Sequence, residues 1–216
     1  MRFKAIIFDM DGVLVDSEPL HVIIETAMIK EMEIPLKKEM YSKFAGTTSL
    51  SMWKTLIEEF HLDKNPNELS AESDRRFVDT LLNTEQVQLF EGVREVLINL
   101  YNKGIPIALA SSSSRMIVDA ILEKFNLRQY FSAVVTGSDI QNSKPHPEIF
   151  LLAAKKLKVS PSESVVIEDS PNGVKAAQLA GMNCIGFASE KNHHDISHAT
   201  WIIKSFGEFD YELFNR

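Results

Sequence analysis

Six short runs of apolar and β-branched residues punctuate the chain: AIIFD (5–9), IPIALAS (105–111), AVVTG (133–137), SVVIED (164–169), CIGFA (184–188) and TWIIK (200–204). Each is a nearly continuous hydrophobic stretch rather than an alternation, the pattern of a strand covered on both faces. Between most of them the apolar positions recur at helical spacing, in VREVLINLYNK (93–103), SRMIVDAILEKF (114–125), PEIFLLAAKKL (147–157) and PNGVKAAQLAG (171–181). Strands and helices in alternation predict a doubly wound, Rossmann-like α/β core built on a parallel sheet.

The stretch after the first strand has a different texture. LHVIIETAMIKEM (20–32), SMWKTLIEEF (51–60) and DRRFVDTLL (74–82) are amphipathic helical patterns with no strand run among them. Breaks at Pro35, Gly46 and Asn65-Pro66 divide it into about four or five helices. The expected organisation is a core of residues 1–16 plus 87–216, interrupted by an all-α insert over 17–86.

With 216 residues, 44% of them hydrophobic, the chain can bury a substantial core. A net charge of −7 argues against an electrostatic grip on nucleic acid or an anionic membrane. The single cysteine, Cys184, excludes an intramolecular disulfide, and its apolar neighbourhood marks it as a small core residue. No apolar run reaches transmembrane length and Met1 leads directly into a strand pattern, so the expected protein is cytoplasmic and monomeric.

In an open parallel sheet, ligands bind beyond the carboxyl ends of the strands, so the residues collected there carry the chemistry. Strand one ends in Asp9 followed by Asp11, strand two in Ser111 and Ser112, and strand four in Glu168 and Asp169. The segment after strand three brings Lys144. Carboxylates gathered so closely repel one another unless a cation sits among them, and hard oxygen ligands suit Mg²⁺. A lysine beside them suits a phosphoryl group. Each element alone has an ordinary reading: Asp-Met-Asp-Gly is good turn chemistry, Ser113 and Ser114 are N-cap material, and Lys144 is a loop lysine. Their convergence at several strand ends favours a site. A calcium loop counted from Asp9 fails, because Leu14 and Leu20 stand where glycine and glutamate are required.

FDMDGVLVDSE, LASSSS, SKPHPEIF and VIEDSPNGVKAA resemble, in order, the four motifs of the haloacid dehalogenase superfamily, in its β-phosphoglucomutase-like phosphatase branch. The likeness spans Met1 to about Phe187, and the insert has the position of that branch's α-helical cap. It implies that Asp9 is a nucleophile forming an aspartyl-phosphate and Asp11 an acid/base carrying a proton. Mg²⁺ would be held by Asp9, the backbone carbonyl of Asp11 and Asp169, with Glu168 assisting directly or through water, and Ser111 and Lys144 would lie on the phosphoryl group. Asp11 argues against dehalogenase chemistry, whose enzymes lack that second aspartate.

Hinges are expected around Gly12 to Asp16 and Glu91-Gly92. On the cap, His21 matches a histidine near the acid/base, and FAGTTSLSMW (44–53) matches the specificity loop. Where mutases carry an arginine this chain has Thr47, Thr48 and Ser49, and the lysine expected near Ser73 is missing, with Arg75 and Arg76 close by. His193, His194 and His198 are read as surface histidines, and Trp53 and Trp201 as packing residues. The leading expectation is a Mg²⁺-dependent phosphatase of small phosphorylated sugars or related monoesters. A β-phosphoglucomutase shares its first half-reaction and is the alternative. A phospho-accepting receiver domain fits poorly, since receivers have no helical insert and place their aspartate after a later strand.

Overall fold

The computed structural model describes residues 3–35, 44, 47–191 and 194–214. Six parallel strands form one sheet in the order β3-β2-β1-β4-β5-β6: β1 (Ala5–Phe8), β2 (Ile107–Ala110), β3 (Ala133–Val135), β4 (Ser164–Glu168), β5 (Asn183–Phe187) and β6 (Trp201–Ile203). Seven α-helices occur among the described residues: α1 (Glu18–Glu31), α2 (Ser49–Phe60), α3 (Pro66–Leu82), α4 (Val93–Asn102), α5 (Arg115–Lys124), α6 (Glu148–Leu157) and α7 (Pro171–Leu179).

The strands' apolar continuity has a direct structural use. Ile6, Phe8, Ile107, Leu109, Val165 and Ile167 face one way and join the apolar sides of α4 and α5. Their neighbours Ile7, Ala108, Ala110, Ala133, Val135 and Val166 face the other way, against α6 and α7. With the strand period of two, both sets must be hydrophobic, so no polar alternation survives. The sheet is therefore wound on both faces, as expected. Cys184 is buried in the second of these layers, where burial pushes its thiol pKa up. Trp201 departs from expectation: it is 40% exposed on the edge strand β6 and packs only an edge onto Phe3.

From β1 the chain steps to β2 and β3 on one side, and β4, β5 and β6 continue on the other. The carboxyl ends of β1 and β4 thus lie side by side at the point where the winding reverses, where a crevice opens in this class of sheet.

Helices α1, α2 and α3 lie between β1 and α4 and pack on one another, with Trp53, Leu56, Phe77 and Leu81 buried among them. Of the breaks read from sequence, Asn65-Pro66 is a helix start: Asn65 caps α3, its side chain accepting from the Asn67 N–H at 2.9 Å, and Pro66 takes the first turn. The break at Gly46 lies outside the described residues. Three helices are found among the described residues of this insert, and residues 36–43, 45 and 46 lie outside them. Its two crossings run together, since Asp16 N–H donates to Gln88 O and Phe90 N–H to Leu14 O, both at 3.0 Å.

The turn that leaves β1 depends on Gly12. Its φ is +78°, in the left-handed region, and a Cβ added there would sit 2.0 Å from Asp169 Oδ2. Gly12→Ala is expected to lower stability by about 1–3 kcal/mol through strain and the displaced carboxylate. Chemical denaturation would show this as a lower midpoint, and an unchanged midpoint would contradict the close approach.

Candidate active site

Asp9 is the first residue after β1, fixed by its N–H donating to Ile167 O of the neighbouring strand at 3.0 Å. Its carboxylate meets Lys144, whose Nζ donates to Asp9 Oδ1 at 2.8 Å and to Glu168 Oε1 at 2.7 Å. Lys144 is only 1% exposed and lies over the Phe150 ring at 5.0 Å. The loop carrying it is pinned by Glu148, which accepts from the N–H groups of Gln141 and Asn142 at 3.0 Å each. A buried ammonium resists charging, but the two carboxylates outweigh the burial and hold the Lys144 pKa up.

Glu168 ends β4. Its second oxygen accepts from the N–H groups of Asp169 and Ser170 at 2.8 Å and from Ser170 Oγ at 2.9 Å. Ser170 Oγ in turn caps α7 by accepting from Gly173 N–H at 3.0 Å. Asp169 follows, 5% exposed. Asp9, Glu168 and Asp169 each offer a ligand oxygen, and these atoms lie within 4.8 Å of one another. Burial, then the charges of the neighbouring acids, raises the pKa of Asp169. Asp9 is raised as well, by burial first and by Glu168, against the opposing pull of Lys144. Three buried carboxylates against one lysine leave an excess of negative charge that a hard divalent cation would neutralise, so the donor set fits Mg²⁺.

Asp11 lies in a different environment. Its Oδ1 accepts from Ser17 Oγ at 2.5 Å and faces His21 Nε2 at 3.3 Å, while Oδ2 accepts from Ser113 Oγ at 2.7 Å and Ser111 Oγ at 3.3 Å. Burial opposes its ionisation, but the His21 hydrogen bond and charge, with Ser17 and Ser113, overcome it and hold the pKa at about 2. Apart from any metal charge, burial and Glu168 push Asp9 towards its neutral form, while the donors around Asp11 favour its ionised form. Burial disfavours His21 imidazolium, yet Asp11 raises the His21 pKa above its ordinary value.

Over this floor lies a cleft of about 340 Å³ lined by Asp9, Asp11 and Asp169 below and by residues of the helical insert above. It brings together His21, Thr47, Thr48, Ser49 and Ser112 from the residues expected to contact substrate. His21 is held against the Phe77 ring at 4.2 Å between centroids. Thr48 is also the N-cap of α2, accepting from Ser51 N–H at 3.1 Å. Arg75 and Arg76 are not brought there. Arg75 donates to Glu72, and Arg76 spans Glu72 and Glu31 of α1, so both arginines are held by acids of the insert.

His194, read as a surface residue, instead lines the cleft, with its Nε2 3.9 Å from Glu18. His198 is exposed, and His193 lies outside the described residues. Sequence reasoning passed over Ser17, Glu25 and Asp74, all part of this region. Ser17 precedes Glu18-Pro19 as an ordinary N-cap would; its hydroxyl goes to Asp11 instead, and α1 has no side-chain cap. Ser113 was assigned only a capping role, which Ser114 fills.

Residues 6–187 match the family model described as haloacid dehalogenase-like hydrolase. The chain belongs to that family. Among its haloacid dehalogenase-like relatives, a phosphorylated carbohydrates phosphatase of Thermotoga maritima is 34% identical over 185 residues, covering 84% of this chain and 83% of that one. A β-phosphoglucomutase of Bacillus subtilis is 30% identical, covering 85% and 82% respectively. The crystal structure of CbbY from Rhodobacter sphaeroides in complex with phosphate superposes with a TM-score of 0.82 at 27% identity, over 95% of this chain and 96% of that one. This haloacid dehalogenase-like chain is thus a hydrolase-family member with the α/β fold inferred from its sequence.

The pairing of Asp11 with His21 generates a pH test. Asp11→Asn removes the anion that raises the His21 pKa, so the His21 resonance should titrate at lower pH than in the wild type. The sign for stability follows: a raised folded-state histidine pKa stabilises fully below the unfolded value and loses that stabilisation as pH rises through the folded value. The His21 contribution to stability should thus fade towards alkaline pH. An unshifted NMR titration of His21 in Asp11→Asn would show that the pair does not interact.

Proposed function

We propose that the chain is a Mg²⁺-dependent phosphatase of small phosphorylated sugars, working through an aspartyl-phosphate on Asp9. The observation that carries this reading is the separation of two neighbouring acids into two environments. Asp9 belongs to the lysine and metal-ligand cluster, and Asp11 belongs to a hydrogen-bonded group with His21 and three serines. The phosphatase named for phosphorylated carbohydrates among the relatives supports the substrate class.

Asp9, Glu168 and Asp169, with the Asp11 backbone carbonyl, would hold Mg²⁺, which when bound supplies charge neutralisation for the acids and the phosphoryl oxygens. Asp9 attacks phosphorus as the ester P–O bond breaks. The departing sugar oxygen takes a proton from the Asp11–His21 pair, which then accepts one from the water that hydrolyses the acyl-phosphate and frees Asp9. Lys144 holds the Asp9 carboxylate in position and offsets the charge of the phosphoryl group beside it. Ser111 and Ser112 would orient that group. Helices α1 to α3 serve as a cap over residues 17–86, turning on the paired crossings near Gly12–Asp16 and Glu91-Gly92, and excluding water until the leaving group is seated.

Asp9→Asn should abolish turnover with the fold retained, since a carboxamide is nearly isosteric but is not an anionic nucleophile. Phosphate release measured with Mg²⁺ present, beside a circular dichroism spectrum, checks this. Near-native turnover with a native spectrum would eliminate the covalent route.

The mutase named among the relatives supports a second reading, in which the acyl-phosphate is passed to a sugar hydroxyl. A mutase needs a cationic grip on a second phosphate, and Arg75 and Arg76, the cations the sequence offered for that role, are engaged by Glu72 and Glu31. β-Glucose 1-phosphate, if turned over, is expected to yield free phosphate faster than glucose 6-phosphate even with a bisphosphate primer. Glucose 6-phosphate forming many times faster than phosphate would replace the phosphatase by the mutase.

A further inference from the structure

The insert side of the cleft carries two acids that the reaction above does not use. Glu25 lies four residues after His21 on α1 and so shares its helix face. Asp74 lies on α3, three residues before the Phe77 whose ring stacks on His21. Both line the cleft, and each is close enough to His21 to interact with its charge. Asp74 is buried at 7% exposure with a hydrogen bond to the Ser114 side chain. Glu25 receives no hydrogen bond from any described residue. Beside them Ser49 Oγ, also on the cleft lining, is buried with no partner among the described residues. Burying a hydroxyl without a partner is unfavourable, so at Ser49 a bound molecule would supply the missing partner, and the half-buried Glu25 beside it offers acceptor oxygens to the same molecule.

We propose that Glu25 and Asp74 are specificity-determining residues that select phosphate monoesters with a neutral, polyhydroxylated leaving group and reject those carrying a second anion. The proposal rests on the phosphatase reading and names its substrate class. Burial raises the pKa of both acids, Glu25 to about 7, so at alkaline pH they are ionised carboxylates, pure acceptors with several lone-pair sites, and vicinal hydroxyls are the donors that match them. A second phosphate or a carboxylate on the leaving group would then be brought against two carboxylates, where like charges repel. Ser49 can donate to a ring or hydroxyl oxygen of the same sugar. The two acids also favour the charge on His21, and a role confined to that would slow all substrates alike. Selectivity therefore separates the two roles.

The test compares kcat/KM at alkaline pH, where both acids are ionised, for α-glucose 1-phosphate, α-glucose 1,6-bisphosphate and 4-nitrophenyl phosphate, with Mg²⁺, in the wild type, Glu25→Gln, Asp74→Asn and the double variant. The wild type should prefer the monophosphate over the bisphosphate by more than about tenfold. Each single variant should narrow that ratio, and the double variant should bring it close to one by gaining activity on the bisphosphate. A wild-type ratio near one overturns the proposal by itself, whether or not either variant folds. Variants that lose activity on all three compounds equally, with the ratio intact, also overturn it and leave Glu25 and Asp74 as supports of His21. Absence of turnover of all three compounds by the wild type would instead strike the phosphatase reading on which the proposal stands.

Discussion

A buried ammonium clamped between two buried carboxylates is the interaction on which the rest of this structure depends. Lys144 comes from the loop after β3, Asp9 from the end of β1 and Glu168 from the end of β4, so three separate chain segments must arrive within hydrogen-bond distance. Desolvation makes such a cluster costly unless every oxygen finds a donor or a counter-charge. The fold provides these one by one. Glu168 is saturated by Lys144 and by the start of α7, and Gly173 is present where a Cβ would come within 1.8 Å of the Glu168 carboxyl carbon. Burial and the neighbouring acids raise the pKa of Asp9 and Asp169, and a metal's charge would offset both effects.

The same clamp explains why two aspartates separated by one residue behave so differently. The tight turn through Gly12 takes the chain from the sheet edge towards the insert, so Asp9 looks down to the lysine while Asp11 looks across to hydroxyls and an imidazole. A carboxylate surrounded by three or four donors ionises readily, whereas one buried beside two other acids does not. Sequence spacing alone says that both can reach a phosphoryl group. Their different tendencies to ionise come from their surroundings: Ser17 and His21, six and ten residues along the chain, for Asp11, and the distant Glu168 for Asp9.

This marks the limit of what was legible. The sheet could be read because strands buried on both faces must be apolar throughout, and Asp9, Asp11, Lys144, Glu168 and Asp169 stood out because they interrupt or follow such runs. The insert offered no comparable contrast. Its helix α1 leaves Val22 and Ile23 exposed, blurring the apolar stripe that would orient it. Glu72 stands at helical spacing from both Arg75 and Arg76 and was within reach of sequence reasoning, whereas Glu31 is 45 residues from Arg76 and only packing of α1 on α3 brings that pair together. Ser17 and Ser113 looked like caps because the residue type suited to capping is also suited to holding a carboxylate. Glu25 and Asp74 carried no motif at all; their meaning comes from the cleft they share.

The arrangement also joins the two halves of the molecule through one acid. Asp11 receives Ser111 and Ser113 from the sheet side, and Ser17 and His21 from the start of the insert, with His21 in turn stacked on Phe77 of α3. Withdrawing α1 from the floor would remove the imidazole, which supplies the largest stabilising contribution to the ionised form of Asp11. Burial would then act on a carboxylate with fewer donors, and its pKa would rise. On the proposed mechanism, such a movement would reset the acid strength of the group assigned the proton transfer. That coupling would give a physical reason for a helical insert to follow the first strand, one short turn beyond Asp9.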